Sequence, residues 1–246
     1  MRDYIARFET DASALVAEEH YIQRLDHGAG AGRTSVTREL RSDYVLVKPA
    51  DSEPWLGYRD IFEVDGAPVR DRDARLVQML SSTTADSRAR ASAFVREGSR
   101  FNLGPERTVN TPTLPLQLLA RANDSRFRLG VPRGWTRLTQ VEVTFEERGR
   151  PTIVRTPEGA YVESRGTVVL RVADGAILAA RLSFFFTGDR REDPEARLSI
   201  EYGAVPNVTV PVPLRMVEEL PMRGSSATGT ATYTNYRRFQ TSARIR

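Results

Sequence analysis

From Phe127 onward the hydrophobic residues recur at every second position, and turn residues interrupt the pattern at short intervals. Val141, Val143 and Phe145 alternate with Gln140, Glu142 and Thr144, which describes a strand with one dry and one wet face. Residues 152–155 and 160–163 flank Pro157-Glu158-Gly159, and 167–173 and 176–186 flank Asp174-Gly175. Both connections carry the turn chemistry that closes hairpins. Leu198, Ile200 and Tyr202 alternate again. Val208, Val210, Val212, Leu214 and Met216 then mark an extended run that Pro211 and Pro213 push to an edge or a bulge. Gly224 to Gly229 reads as a flexible loop, and Ala231 to Phe239 as a closing strand. Consecutive hairpins make an antiparallel meander, and a sheet with one apolar face must cover it.

The first half supplies candidates for that cover. Ile5, Phe8, Ala12, Leu15, Val16, Tyr21 and Ile22 fall near a 3.6-residue spacing and predict an amphipathic helix over residues 1–25. Gly28-Ala29-Gly30-Ala31-Gly32 ends it. Strands follow at 38–47 and 55–64, the second closed by Asp65-Gly66. Leu76, Val77, Leu80, Ala91, Phe94 and Val95 predict helices within residues 73–101. Leu114, Leu116, Leu118 and Leu119 predict a short one whose Pro115 suits its first turn. No linker divides the chain. The expected fold is α+β in a single domain over 1–246: a curved antiparallel β-sheet from the 127–240 meander, forming an open half-barrel. Its greasy inner face is roofed by the N-terminal helix and a helical insert at 73–122.

Chemistry is less evident. The 246 residues include no cysteine, and 36 basic residues, of which Lys48 is the only lysine, are interspersed with 32 acidic ones for a net charge of +4. A mixed surface of this kind does not mark a nucleic-acid partner. No run approaches the roughly 18 apolar residues of a transmembrane helix. The glycine run follows a predicted helix and precedes a strand, the reverse of a phosphate-binding fingerprint, and reads as a connector. His20 and His27 are the only histidines and, seven apart, do not make a metal-ligand pair. No Gly-x-Ser-x-Gly elbow occurs. Acid/base chemistry on glycans would need Glu146 and Glu147, or Asp189, Glu192, Asp193 and Glu195, to converge on one cleft. The apolar run Leu182 to Phe186 is either core or the lining of a hydrophobic groove. The closing strand puts Tyr233, Asn235, Arg237 and Phe239 on one face by alternation. Leu182, Phe184, Phe186, Tyr233 and Phe239 are therefore the candidate ligand-binding residues. No catalytic residue, metal ligand or cofactor is expected, and the chain reads as a non-enzymatic protein.

Four stretches, 16–21, 38–44, 58–66 and 231–239, resemble secreted proteins of unknown function of the acidobacterial type. The order of elements resembles the lipoprotein-carrier and sigma-regulator fold, LolA-like, in which an open half-barrel wraps around helices. The resemblance implies an exported binding module that holds an acyl chain, a lipoprotein or another envelope protein between sheet and helices, with no cofactor. It implies an extracytoplasmic location, periplasmic or secreted, if Met1 stands in place of a removed signal peptide, and a cytoplasmic one otherwise. The helical insert at 73–122 departs from that layout, and the groove is either open or filled by it. The alternatives are docking of an envelope partner through an edge strand, either the Pro211/Pro213 run or the closing strand, and the carboxylate-pair enzyme.

Overall fold

Alternating burial does build the second half. Residues 140–147 run exposed, buried, exposed, buried along their length, and 196–203 do the same, as a strand with one face toward a core requires. The structure, a computed structural model, describes residues 1–11, 15–28, 32–47, 56–69, 97–104, 107, 109–156, 158–186 and 196–238. Within these, α1 (Arg2–Asp11) is followed by β1 (Leu15–His27), β2 (Thr34–Val47), β3 (Leu56–Val64) and β4 (Ala67–Pro68). Then come the short α2 (Leu114–Leu118), β5 (Phe127–Gly130), β6 (Gln140–Glu147), β7 (Val154–Arg155) and β8 (Tyr161–Arg171). The chain closes with β9 (Ile177–Phe186), β10 (Ala196–Gly203), β11 (Val212–Met222) and β12 (Ser225–Arg238).

All twelve strands belong to one antiparallel sheet in the order β4-β3-β2-β1-β12-β11-β10-β9-β8-β6-β5, with β7 paired to β8. The sheet is open and the class is α+β. The second half meanders as its turns predict. The first half, however, joins the same sheet: β1 lies between β2 and β12, with Tyr21 opposite Leu40 on one side and Ala231 on the other. The predicted helix over 1–25 is therefore corrected to a helix of ten residues followed by a thirteen-residue strand. Sequence periodicity misleads here because β1 turns Glu19 and Gln23 inward, 2% and 0% exposed, while Ile22 on the outer face is 42% exposed. The polarity of this strand is partly inverted, so an apolar/polar alternation is not there to be read.

Two further strands depart from expectation. The loop predicted at 224–229 is the start of β12, joined to β11 by a tight turn in which Gly224 has φ 75°. Neither β11 nor β12 is at an edge, since β10, β11, β12 and β1 are consecutive neighbours. The edge-docking alternative thus loses both strands it named. Alternation also fails at Asn235, whose φ of 50° coincides with a register shift against β1 between Val16 and Glu18. Past this bulge Tyr236 packs against the core, whereas Arg237 reaches Asp43 at 2.8 Å and Glu18 at 3.8 Å. Tyr233 and Arg237 therefore serve opposite faces, not one.

α1 lies against this sheet through Tyr4, Ile5 and Phe8, all buried, and the Tyr4 hydroxyl donates to the Pro211 carbonyl at 2.7 Å. Residues 109–120 cover the sheet between β2 and β10. Tyr44 bonds the hydroxyls of Thr111 and Thr113 at 2.7 and 3.0 Å, and the Tyr202 hydroxyl donates to the Pro112 carbonyl at 2.8 Å. Leu114, Leu116, Leu118 and Leu119 are buried beneath. Pro115 sits in the first turn of α2, as its lack of a donor predicts. Residues 70–96, which hold the larger part of the helices predicted within 73–101, lie outside the described residues.

Candidate functional site

The inner face of the sheet has two halves of different chemistry. From β6 to β10 it is an apolar floor: Val141, Val143 and Phe145, then Val162, Val168 and Leu170, then Ala180, Leu182 and Phe184, then Leu198 and Ile200 are all buried in one cluster. Cross-strand pairs set it, with Gly166 opposite Leu182 and Ser164 opposite Phe184. Each fully buried side chain of this size contributes about 1.5–3 kcal/mol relative to exposure.

Across β1 to β3 and β11 to β12 the same face is ionised, against the expectation of a uniformly greasy surface. The Arg59 Nε donates to Glu19 Oε2 at 2.6 Å, Ser42 Oγ donates to the same oxygen at 2.7 Å, and Arg59 Nη2 donates to the Asn110 carbonyl at 2.6 Å. Beside it Arg107 Nη1 donates to the Tyr21 hydroxyl at 3.0 Å and to Glu218 Oε1, which also accepts from Tyr21. The Arg107 and Glu218 side chains are 0% and 1% exposed. The Arg59 guanidinium lies 4.9 Å from the Tyr21 ring centre and 5.9 Å from that of Tyr44, within cation–π range. Burial works against its charge, and Glu19 with Tyr233 and Tyr21 more than compensates, holding the guanidinium firmly protonated. Burial pushes the Tyr21 phenol up, opposed by Arg107 and Arg59. Gln23 anchors the chain bearing Arg107, donating to Asn102 Oδ1 and accepting from the Leu103 N–H, both at 2.7 Å.

Gly229 makes this cluster possible. A Cβ there would lie 2.6 Å from Glu218 Oε1 and 2.7 Å from the Tyr21 ring and hydroxyl. Neither partner has freedom to yield, because each is tied to Arg107. Gly229→Ala is expected to lower stability by about 2–3 kcal/mol, read as a drop in the urea midpoint with the m-value unchanged.

The candidate ligand-binding residues divide between the two halves. Leu182 and Phe184 are buried on the apolar floor and Phe186, at its rim, is half-buried. Tyr233 is buried in the ionised half, its ring edge-on to Tyr44 at 5.5 Å, with β10 and β11 between it and β9. Phe239 lies outside the described residues. Glu19, Tyr21, Arg59, Arg107 and Glu218 were not anticipated. Their partners lie 40 residues apart for Glu19 with Arg59 and 111 apart for Arg107 with Glu218. The one local hint is the small-residue stretch around Gly229.

The other candidates are not assembled. Glu147 is buried, accepting from Ser164 Oγ at 2.7 Å and the Ile153 N–H at 2.8 Å, while its neighbour Glu146 faces outward among Arg128, Arg148 and Arg165. Adjacent strand residues point to opposite faces, so this pair does not share a cleft. Residues 187–195, with the second acidic group, lie outside the described residues. His20 meets Glu39 at 2.8 Å on the surface and His27 is exposed. Both lie on β1, where an odd separation places them on opposite faces. Among the described residues no group of three or more His, Cys, Asp and Glu is placed to hold a metal ion. The glycine run leaves a strand rather than a helix: Gly28, at φ 77°, ends β1 and donates to the Gly224 carbonyl at 3.0 Å.

No protein-family model and no curated protein matches the chain. Among solved structures it is similar to an outer membrane lipoprotein-sorting protein domain from Vibrio parahaemolyticus, with 12% identity and a TM-score of 0.43 over 98% of this chain and 92% of that one. It is also similar to a DUF1329 family protein from Desulfovibrio piger, with 13% identity and a TM-score of 0.40 over 100% and 93%. A LolA superfamily protein from Nitrosomonas europaea shares 10% identity, with a TM-score of 0.35 over 99% and 95%. Among the described residues no helix is long and apolar enough to cross a membrane.

Proposed function

We propose that residues 1–246 act as one domain, a non-enzymatic binding module of the cell envelope that holds a hydrophobic ligand or the acyl chain of a lipidated partner between sheet and helices. This is the role implied by the resemblance of the element order to the lipoprotein-carrier, LolA-like fold. Leu182, Phe184 and Phe186 form the floor of the acyl site in this reading. Tyr233 flanks the polar end, where the Glu19 and Arg59 cluster would meet the ligand's polar head; Phe239, outside the described residues, stays a candidate by sequence alone. The observation that carries the reading is the nature of the roof. The apolar floor running from β6 to β10 is continuous with Leu114, Leu116, Leu118 and Leu119 of residues 109–120, a segment tied down at β2 and β10 whose only helix has five residues and no side-chain cap. A helix this short has little stability of its own, so an acyl chain that takes over the contacts of these leucines can lift the segment once a few tyrosine hydrogen bonds break.

Those bonds supply the test. After denaturing lipid extraction and refolding, the protein is expected to take up one fluorescent fatty acid per chain, with a matching mass increase by native mass spectrometry. In Tyr44→Phe with Tyr202→Phe, the roof loses its bonds to Thr111, Thr113 and Pro112. At a net cost of about 1 kcal/mol for each of these three buried hydrogen bonds, uptake should be faster by roughly a hundredfold. No uptake by either the original or the loosened protein would refute the proposal.

A further inference from the structure

We propose that the connection between β5 and β6 is a docking surface for an anionic lipid bilayer. Residues 128–140 are exposed without exception, yet they include Leu129, Val131, Trp135 and Leu138, 38%, 50%, 41% and 50% exposed. Scattered exposed apolar residues are ordinary, but four large ones within ten residues are not. The backbone holding them is formed. Leu129 and Gly130 pair with Phe145 and Thr144 of β6. Gly134, at φ 72°, turns the chain into a 3-10 turn over Trp135–Arg137, and Arg137 and Leu138 donate to the carbonyls of Gly134 and Trp135 at 3.1 and 3.0 Å. The apolar side chains are thus presented on an ordered scaffold at the β5 edge of the sheet.

Charge selects the occupant. Residues 125–141 contain Arg126, Arg128, Arg133 and Arg137 and no acidic residue. Arg128 reaches Glu146 at 3.0 Å, whereas Arg133 and Arg137 are exposed and pair with no carboxylate among the described residues. A second copy of this surface would bring the same positive charge against it. An anionic membrane brings the opposite charge together with an apolar interior for Trp and Leu, and tryptophan and arginine are the residues that settle at such an interface. The surface is separate from the inner face of the sheet, so its test is independent of ligand binding there.

The chain has two tryptophans, Trp55 and Trp135, so Trp55→Phe leaves Trp135 as the reporter. At low ionic strength the wild-type chain is expected to sediment with phosphatidylglycerol vesicles and not with phosphatidylcholine vesicles. Trp135 emission should shift to the blue on binding, and added salt should release the protein. Arg133→Glu with Arg137→Glu should lower partitioning roughly thirtyfold or more, taking about 1 kcal/mol per basic residue at the surface. Trp135→Ala with Leu138→Ala should weaken it while leaving the unfolding midpoint in place. Failure to bind phosphatidylglycerol vesicles, or binding that both variants leave intact, overturns the proposal. So does a blue shift that grows with protein concentration in the absence of vesicles, which assigns the surface to a second copy.

Discussion

Arg107→Ala is expected to destabilise the protein by about 3–5 kcal/mol, a large part of what holds a domain of this size together. The guanidinium is completely buried and gives hydrogen bonds to Glu218, to the Tyr21 hydroxyl and, through Nη2, to the Leu103 carbonyl at 2.8 Å. Alanine removes all of these and leaves the Glu218 carboxylate, 1% exposed, without a cation. Urea unfolding measures the loss. Its pH dependence identifies the cause: an unpaired buried carboxylate must take up a proton to stay folded, so the deficit should narrow as pH falls. Glu218→Gln added to Arg107→Met should recover much of the stability, because a neutral site of similar volume carries no stranded charge. A loss below about 1 kcal/mol for Arg107→Ala would place the pair in contact with solvent and refute the account.

The second large effect is at alkaline pH. Six of the eight tyrosines, Tyr4, Tyr21, Tyr44, Tyr202, Tyr233 and Tyr236, have phenols pushed up by burial, Tyr44 to about 12 from an ordinary value of 10.0. A group whose folded value is raised stabilises the fold fully below its unfolded value and loses that contribution as pH rises toward the folded one. At about 1.4 kcal/mol per unit, Tyr44 alone forfeits roughly 3 kcal/mol between pH 10 and 12. The combined demand of six such groups exceeds the stability of an ordinary domain. Unfolding is therefore expected within this window. The six phenolates should appear in one cooperative step that coincides with loss of near-ultraviolet dichroism. Six independent titrations with the fold intact would contradict the burial described here.

Much of the sheet was legible. The period-two pattern over 140–145 and 198–202, Asp65-Gly66 and Asp174-Gly175 each place an element close to where it stands, because hairpin pairing is decided by neighbours and by turn residues that tolerate positive φ. The ligand-site candidates on β9 were legible as apolar, but nothing local separates a residue that floors a groove from one that fills a core. β1 was misread. Its inward residues Glu19, Tyr21 and Gln23 violate the rule that polar side chains face water, and the partners that permit this come from β3, from residues 102–107 and from β11.

The sequence by itself determined an antiparallel meander over the second half, the hairpin at Asp65-Gly66 and the place of α2, all of them consequences of spacing within a few residues. Only the tertiary structure decided that β1 is a strand in the middle of the sheet, that β11 and β12 are internal, and that one half of the inner face is ionised. The reason is that burying Glu19 or Glu218 is costly alone and tolerable only beside Arg59 or Arg107. Whether those arginines arrive is set by how distant strands and segments meet, which no local pattern records.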